Sequence, residues 1–178
     1  MIWNPGEMKI DGRWHFDGPS MPIEFARISK GANPSNERLT LVIHEGARKV
    51  PVLWAMLKNK DIRSAISDLA KREGCRNESI GYIICDTRQS NCMVIPDLKE
   101  SILAWALSKK LEAVIWTDLP SNFLERTSML LTEYNLRNYL RRLRASGNTE
   151  AIEYVRKAPC QIKTALREVI EKELKIID

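Results

Sequence analysis

Residues 60–87 read KDIRSAISDLAKREGCRNESIGYIICDT, and the fold turns on how they divide. Ile62, Ala65, Ile66, Leu69 and Ala70 recur at the spacing of one helical face, and Gly74 stands where such a helix would stop. The period then changes, and IGYIICDT (80–87) reads as a strand. Upstream, MPIEFARIS (21–29) partly alternates apolar and polar residues, and RLTLVIHE (38–45) is a clearer strand. With KGANPSNE between them as a turn, the two predict a β-hairpin with a long loop. KVPVLWAML (49–57) predicts a third strand, with Pro51 near its start, where a missing N–H is tolerated.

Downstream, PDLKESILAWALSKKLEA predicts a helix capped by Asp97, with Glu100 three residues on and Ile102, Leu103, Ala106 and Leu107 as its buried stripe. AVIWTDLP (113–120) predicts a short further strand ended by Pro120. Beyond residue 123 only helical patterns remain, at about 127–145, 148–157 and 160–176, punctuated by Gly147 and Pro159. The expected organisation is an α+β domain over 1–123 and a helical extension, 124–178, packed on it.

A chain of 178 residues with 44% hydrophobic and 29% charged residues has the composition of a soluble globular domain. No apolar run approaches the roughly 18 residues that a membrane span needs. The N-terminus carries no basic region followed by an apolar stretch, so a cytoplasmic protein is expected. Cys75, Cys85, Cys92 and Cys160 form no CxxC pair, and His15 and His44 lie far apart, so no metal site is expected and the cysteines read as free thiols. The net charge of +5 is mild and its residues are interleaved with acids, so nucleic acid is not an expected partner. The densest basic segment, LRNYLRRLRASG, carries Arg137, Arg141, Arg142 and Arg144 and reads as a solvated helix face or as a contact for an anionic partner.

Glu73 closes the predicted helix beside Arg72. The C-terminal end of a helix carries partial negative charge, which disfavours a carboxylate there by up to about 1 kcal/mol. The same field makes such a carboxylate a better proton acceptor. The plainer alternative is a surface glutamate beside an arginine. Glu24 and Arg27 stand at odd separation in one strand, so they are expected on opposite faces, one of them inward with a partner or lining a pocket. His15 reads as a packed or turn histidine against a proton shuttle. In WTDLPSNF (116–123), Asp118 and Asn122 read as turn chemistry around Pro120, or with Trp116 and Phe123 as a wall for a substrate.

Taken in order, IWNPG near the start, a hairpin, and a helix ending Arg72-Glu73 before Gly81-Tyr82 resemble the γ-glutamylcyclotransferase-like superfamily, in particular its ChaC-like branch. Trp3, Asn4, Pro5 and Gly6 match the Trp-Asn-Pro-Gly-like segment of that family, and Arg72-Glu73 with Gly81-Tyr82 match its Arg-Glu…Gly-Tyr stretch. The resemblance covers about residues 1–95. It implies an α+β fold on a small mixed, partly barrel-like β-sheet with packed C-terminal helices. It implies release of 5-oxoproline from a γ-glutamyl amine or peptide, a transferase or lyase reaction needing no cofactor. Glu73 would be the general base and acid, and Trp3, Asn4, Pro5, Gly6, Arg27 and Tyr82 would meet the substrate. Family members begin with a strand and a Tyr-Gly-Ser-Leu loop that run into the IWNPG-like turn. Met1 stands about where that loop ends, so the expectation is a misassigned start rather than a true truncation. The competing expectation is a non-catalytic binding or interaction module of the same fold, working through the Arg137–Arg144 helix.

Overall fold

The computed structural model describes residue 6 and residues 8–30, 36–58 and 61–175. The chain forms two compact units, each assembled from two stretches: Met1–Met21 with Pro51–Leu119, and Pro22–Val50 with Pro120–Asp178.

In the first unit the helix predicted from the 60–87 stretch is α1, Ile62–Glu73. The Asp61 carboxylate caps it by accepting from the Ser64 amide at 2.9 Å. Gly74 adopts the left-handed conformation, and the Cys75 amide reaches back to Ala70 O, closing the last turn. A single 3-10 turn, Asn77–Ser79, leads into strand β6, Ile80–Ile84. Leu69, Ala70 and Ile80 form a buried cluster with Met8, Ile66, Cys75 and Ile115 around it. β6 is the middle of three strands, between β7 (Ser90–Asn91) and β8 (Ala113–Thr117), and both pairings are antiparallel.

Helix α2, Leu98–Ser108, precedes β8 and buries Leu98, Ile102, Leu103 and Ala106. Two details differ from the sequence reading. Asp97 is in helical conformation and makes no capping bond, so the expected Asp97/Glu100 box is not formed. Leu107 is 52% exposed, because at about 100° per residue it points well away from the stripe formed by Leu98, Ile102 and Ala106. A second sheet pairs β1, Ile10–His15, with β5, Trp54–Leu57. Strand β1 has no counterpart among the strands predicted from the sequence.

The expected third strand is two. β4, Lys49–Pro51, joins the edge of β2, Ser20–Lys30, and β5 pairs elsewhere. Between them the Val52 amide donates to Pro19 O and Val52 O accepts from the Gly18 amide, so the chain leaves one ladder for the other.

In the second unit β2 pairs with β3, Glu37–Ile43, as the predicted hairpin. The register slips between Phe25 and Arg27, a β-bulge at Ala26. Helix α3 (Phe123–Thr127), α4 (Glu133–Ala145), α5 (Thr149–Lys157) and α6 (Arg167–Leu174) follow. Thr132 caps α4, and Asn148 caps α5. The pattern at 127–145 is thus broken at Ser128, which is left-handed, and the last helix starts only at Arg167. α5 covers β3, with the Tyr154 ring edge-on to Phe25 and its hydroxyl accepting from the Leu41 amide. The Glu24 carboxylate is buried and accepts from Thr164 Oγ1 at 2.5 Å, the Leu166 amide at 3.1 Å and its neighbour Phe25 at 2.8 Å. It anchors the segment before α6 to β2.

The α+β class stands. Among the described residues the three sheets have two, three and three strands, and none closes into a barrel. The expected partly barrel-like sheet is replaced by open ones.

Candidate functional site

Glu73 ends α1 in the first unit. Its Oε1 lies 3.1 Å from Arg72 Nη1, and the two side chains are 24% and 15% exposed. Lys71 and Arg72 occupy the last turn, where positive charge offsets the helix dipole and relieves the placement of Glu73. The carboxylate is thus partly sheltered at the helix end and held beside the Arg72 guanidinium.

Gly6 comes to this same end of α1. It is left-handed, with φ of 63°, and a Cβ there would stand 3.4 Å from Arg72 Cγ. The turn residue therefore lies on the aliphatic stem of Arg72, a contact that a bulkier left-handed residue would strain. Trp3, Asn4 and Pro5, predicted with Gly6 to meet a substrate, lie outside the described residues.

Gly81 has a packing reason of its own. It faces Trp116 across the β6–β8 ladder, and a Cβ would fall 2.1–2.5 Å from three indole atoms. The ring lies directly on the Gly81 backbone. Tyr82, next along, pairs with Asn91 on one side and Ile115 on the other and is half-buried.

Arg27 belongs to the second unit. Its guanidinium donates to Pro120 O at 2.8 Å. The bulge at Ala26 overturns the expected opposition of Glu24 and Arg27. Their partners across the ladder, Val42 and Thr40, are two apart, so Glu24 and Arg27 share a face. Arg27 is one of three contacts that run Pro120–Asn122 along β2. Ser121 Oγ donates to Ala26 O at 2.7 Å. Asn122 takes both backbone groups of Ile28, accepting from its amide at 2.7 Å and donating to its carbonyl at 3.0 Å. Asn122 thus seals an open strand edge and makes no capping bond to α3. Asp118 also lies away from the expected turn chemistry: its Oδ2 accepts from the amides of Met93 and Val94.

The basic helix is α4. Arg137 pairs with Glu133 and, at 2.7 Å, with Glu173; Arg141 pairs with Glu173 at 3.1 Å; Arg144 donates to Glu173 O at 2.9 Å. These arginines fasten α6 to α4. Hydrogen bonds from Arg137 and then Arg141 hold the Glu173 carboxyl below the usual carboxylate range.

His15 stacks on Trp54 at 4.5 Å, which bears out a packed histidine, and Trp54 meets Trp105 edge-on at 5.4 Å. Asp17 ties this group together. It accepts from Lys109 at 2.6 Å and Trp54 Nε1 at 2.8 Å, and its carbonyl accepts from Trp105 Nε1. The Lys109 and Trp54 hydrogen bonds pull the Asp17 carboxyl down to about 2. Among the described residues no group of three His, Cys, Asp or Glu side chains is arranged to hold a metal ion, and no helix is long and apolar enough to cross a membrane.

The sequence reading singled out Glu73 but not the packing of Gly6 on Arg72. The only local signal for it was the arginine beside the glutamate. No protein family, characterised protein or solved structure matches this chain.

Proposed function

We propose that this is a cytoplasmic protein with a γ-glutamylcyclotransferase-like arrangement that releases 5-oxoproline from a γ-glutamyl amine or peptide. The substrate's α-amino nitrogen attacks its own γ-carbonyl carbon. The C–N bond to the leaving amine breaks as the five-membered ring closes. Glu73 takes the proton that the α-ammonium must lose and returns it to the departing amine. Binding in a folded-back conformation supplies much of the acceleration, because amine and carbonyl already belong to one molecule. The Trp3-Asn4-Pro5-Gly6 sequence, together with Tyr82, meets the substrate in this reading.

One observation supports it most. Gly6 and Arg72-Glu73, the two motif elements on which the resemblance rests, are distant in sequence yet come together at one helix end. The pairing of Arg137, Arg141 and Arg144 with α6 speaks against that helix as a free binding surface.

The test is incubation of the protein from its native source with glutathione and a panel of γ-glutamyl dipeptides, with 5-oxoproline measured by mass spectrometry. Product is expected with at least one substrate, and Glu73→Gln is expected to reduce the rate by about 100-fold or more. No product across the panel, or full activity in Glu73→Gln, would sink the proposal.

A further inference from the structure

The end of β8 carries two polar atoms that the described residues leave unsatisfied. Asp118 is 3% exposed. Its Oδ2 accepts from the Met93 amide at 2.5 Å and the Val94 amide at 3.4 Å, whereas its Oδ1 is shielded from solvent and has no donor. Two residues earlier, Trp116 Nε1 is equally shielded and has no acceptor. Residues two apart on a strand share a face. The Asp118 amide donates to Ser79 O, so the ladder that sets Trp116 opposite Gly81 runs on through Asp118. One orphan is a charged acceptor and the other a neutral donor. Buried polar groups in folded proteins are paired, and those that are not call for a specific explanation.

The surroundings restrict what could complete the pair. Cys92 donates its thiol to Ile95 O at 3.1 Å. Burial, and then the charge of Asp118, push that thiol up to about 11, so it stays neutral. A simple amine would satisfy Asp118 alone. A simple anion would satisfy Trp116 alone and be repelled by the carboxylate beside it. A zwitterion offers a donor and an acceptor at short separation and brings no net charge into the buried site.

We propose that Asp118 and Trp116 form a binding site for the zwitterionic head of a small α-amino acid, its ammonium donating to Asp118 Oδ1 and its carboxylate accepting from Trp116 Nε1. The turn Cys92–Asp97 is the cover. The amides of Met93 and Val94 hold it to Asp118 Oδ2, and Met93 itself is exposed. This site uses neither Glu73 nor Gly6 and does not depend on the cyclotransferase reading.

Glycine is the probe, because it carries the head group alone, with methylammonium and acetate as its two halves. Titration of the full chain by calorimetry, with the Trp116 indole N–H followed by NMR, is expected to give saturable glycine binding and a shift of that resonance. Each half should bind at least about tenfold more weakly, as expected for a lost charge-assisted hydrogen bond. Trp116→Phe keeps a ring over Gly81 and removes the donor, and Asp118→Asn removes the charge. Both are expected to weaken glycine about tenfold or more, with the circular dichroism of each variant confirming a folded chain. Absence of saturable glycine binding with an unmoved Trp116 resonance overturns the proposal. So does wild-type affinity in a folded Trp116→Phe, or methylammonium binding as tightly as glycine.

Discussion

Replacing Gly81 by alanine tests the tightest contact in the first unit. A Cβ at Gly81 would lie 2.1 Å from Trp116 Cε2, 2.3 Å from Nε1 and 2.5 Å from Cζ2. Ordinary van der Waals contact begins at 3.4 Å, so the indole or the strand must retreat by about 1.3 Å. β6 is held on both edges, by β7 and β8, and its Ile80, next to Gly81, and Ile83, two residues on, are 0% and 1% exposed. The backbone therefore has little room to yield, and the ring must move. Overpacking of this kind costs about 1–3 kcal/mol. Alanine regains about 0.5–1 kcal/mol through its smaller backbone entropy loss. A net destabilisation of about 1–2 kcal/mol is expected, read as a lower urea midpoint with unchanged slope. The decisive measurement is the double-mutant cycle with Trp116→Ala. If the indole is the obstacle, Gly81→Ala becomes neutral or stabilising once the ring is gone, giving a coupling of at least about 1 kcal/mol. Equal effects of Gly81→Ala with and without the Trp116 ring would refute this account of the glycine.

Glu173→Gln removes the charge that holds Arg137 and Arg141 and is expected to lower stability by about 1–2 kcal/mol, seen as an earlier melting of the helical signal. The Glu173 carboxyl is lowered from its ordinary value of 4.5, so its contribution is present above that value and is lost as pH falls through the lower folded one. The variant and the wild type should therefore converge in stability in acid; a difference that persists at the lowest pH points to another cause. Among the thiols, exposed Cys160 is expected to react readily with a colorimetric disulfide reagent at pH 8 in the native state, whereas Cys92, half-buried and pushed up to about 11, should react much more slowly. Mass mapping of the labelled cysteines decides it, and native labelling of Cys92 as fast as Cys160 would contradict the raised thiol.

Where side chains follow a local rule, the sequence alone was enough to place the element. The apolar spacing of Ile62, Ala65, Leu69 and Ala70, with Gly74 after it, located α1 and the position of Glu73 at its end, because helix periodicity and helix termination are short-range effects. The β2–β3 hairpin and β8 were legible for the same reason. The tertiary structure decided what local patterns cannot encode. The switch of the 49–57 segment from one sheet to another at Val52 depends on which strand edges are open to it. The bulge at Ala26 reversed the facing of Arg27 through one inserted residue, since a strand's side-chain period is two and a single slip exchanges its faces. Gly81 stands in the sequence as a motif residue, yet its packing partner, Trp116, comes from another strand. The arginines of α4 read as a surface until α6 brought Glu173 to them. Charge and close packing act through space, and chain distance says nothing of which partner arrives.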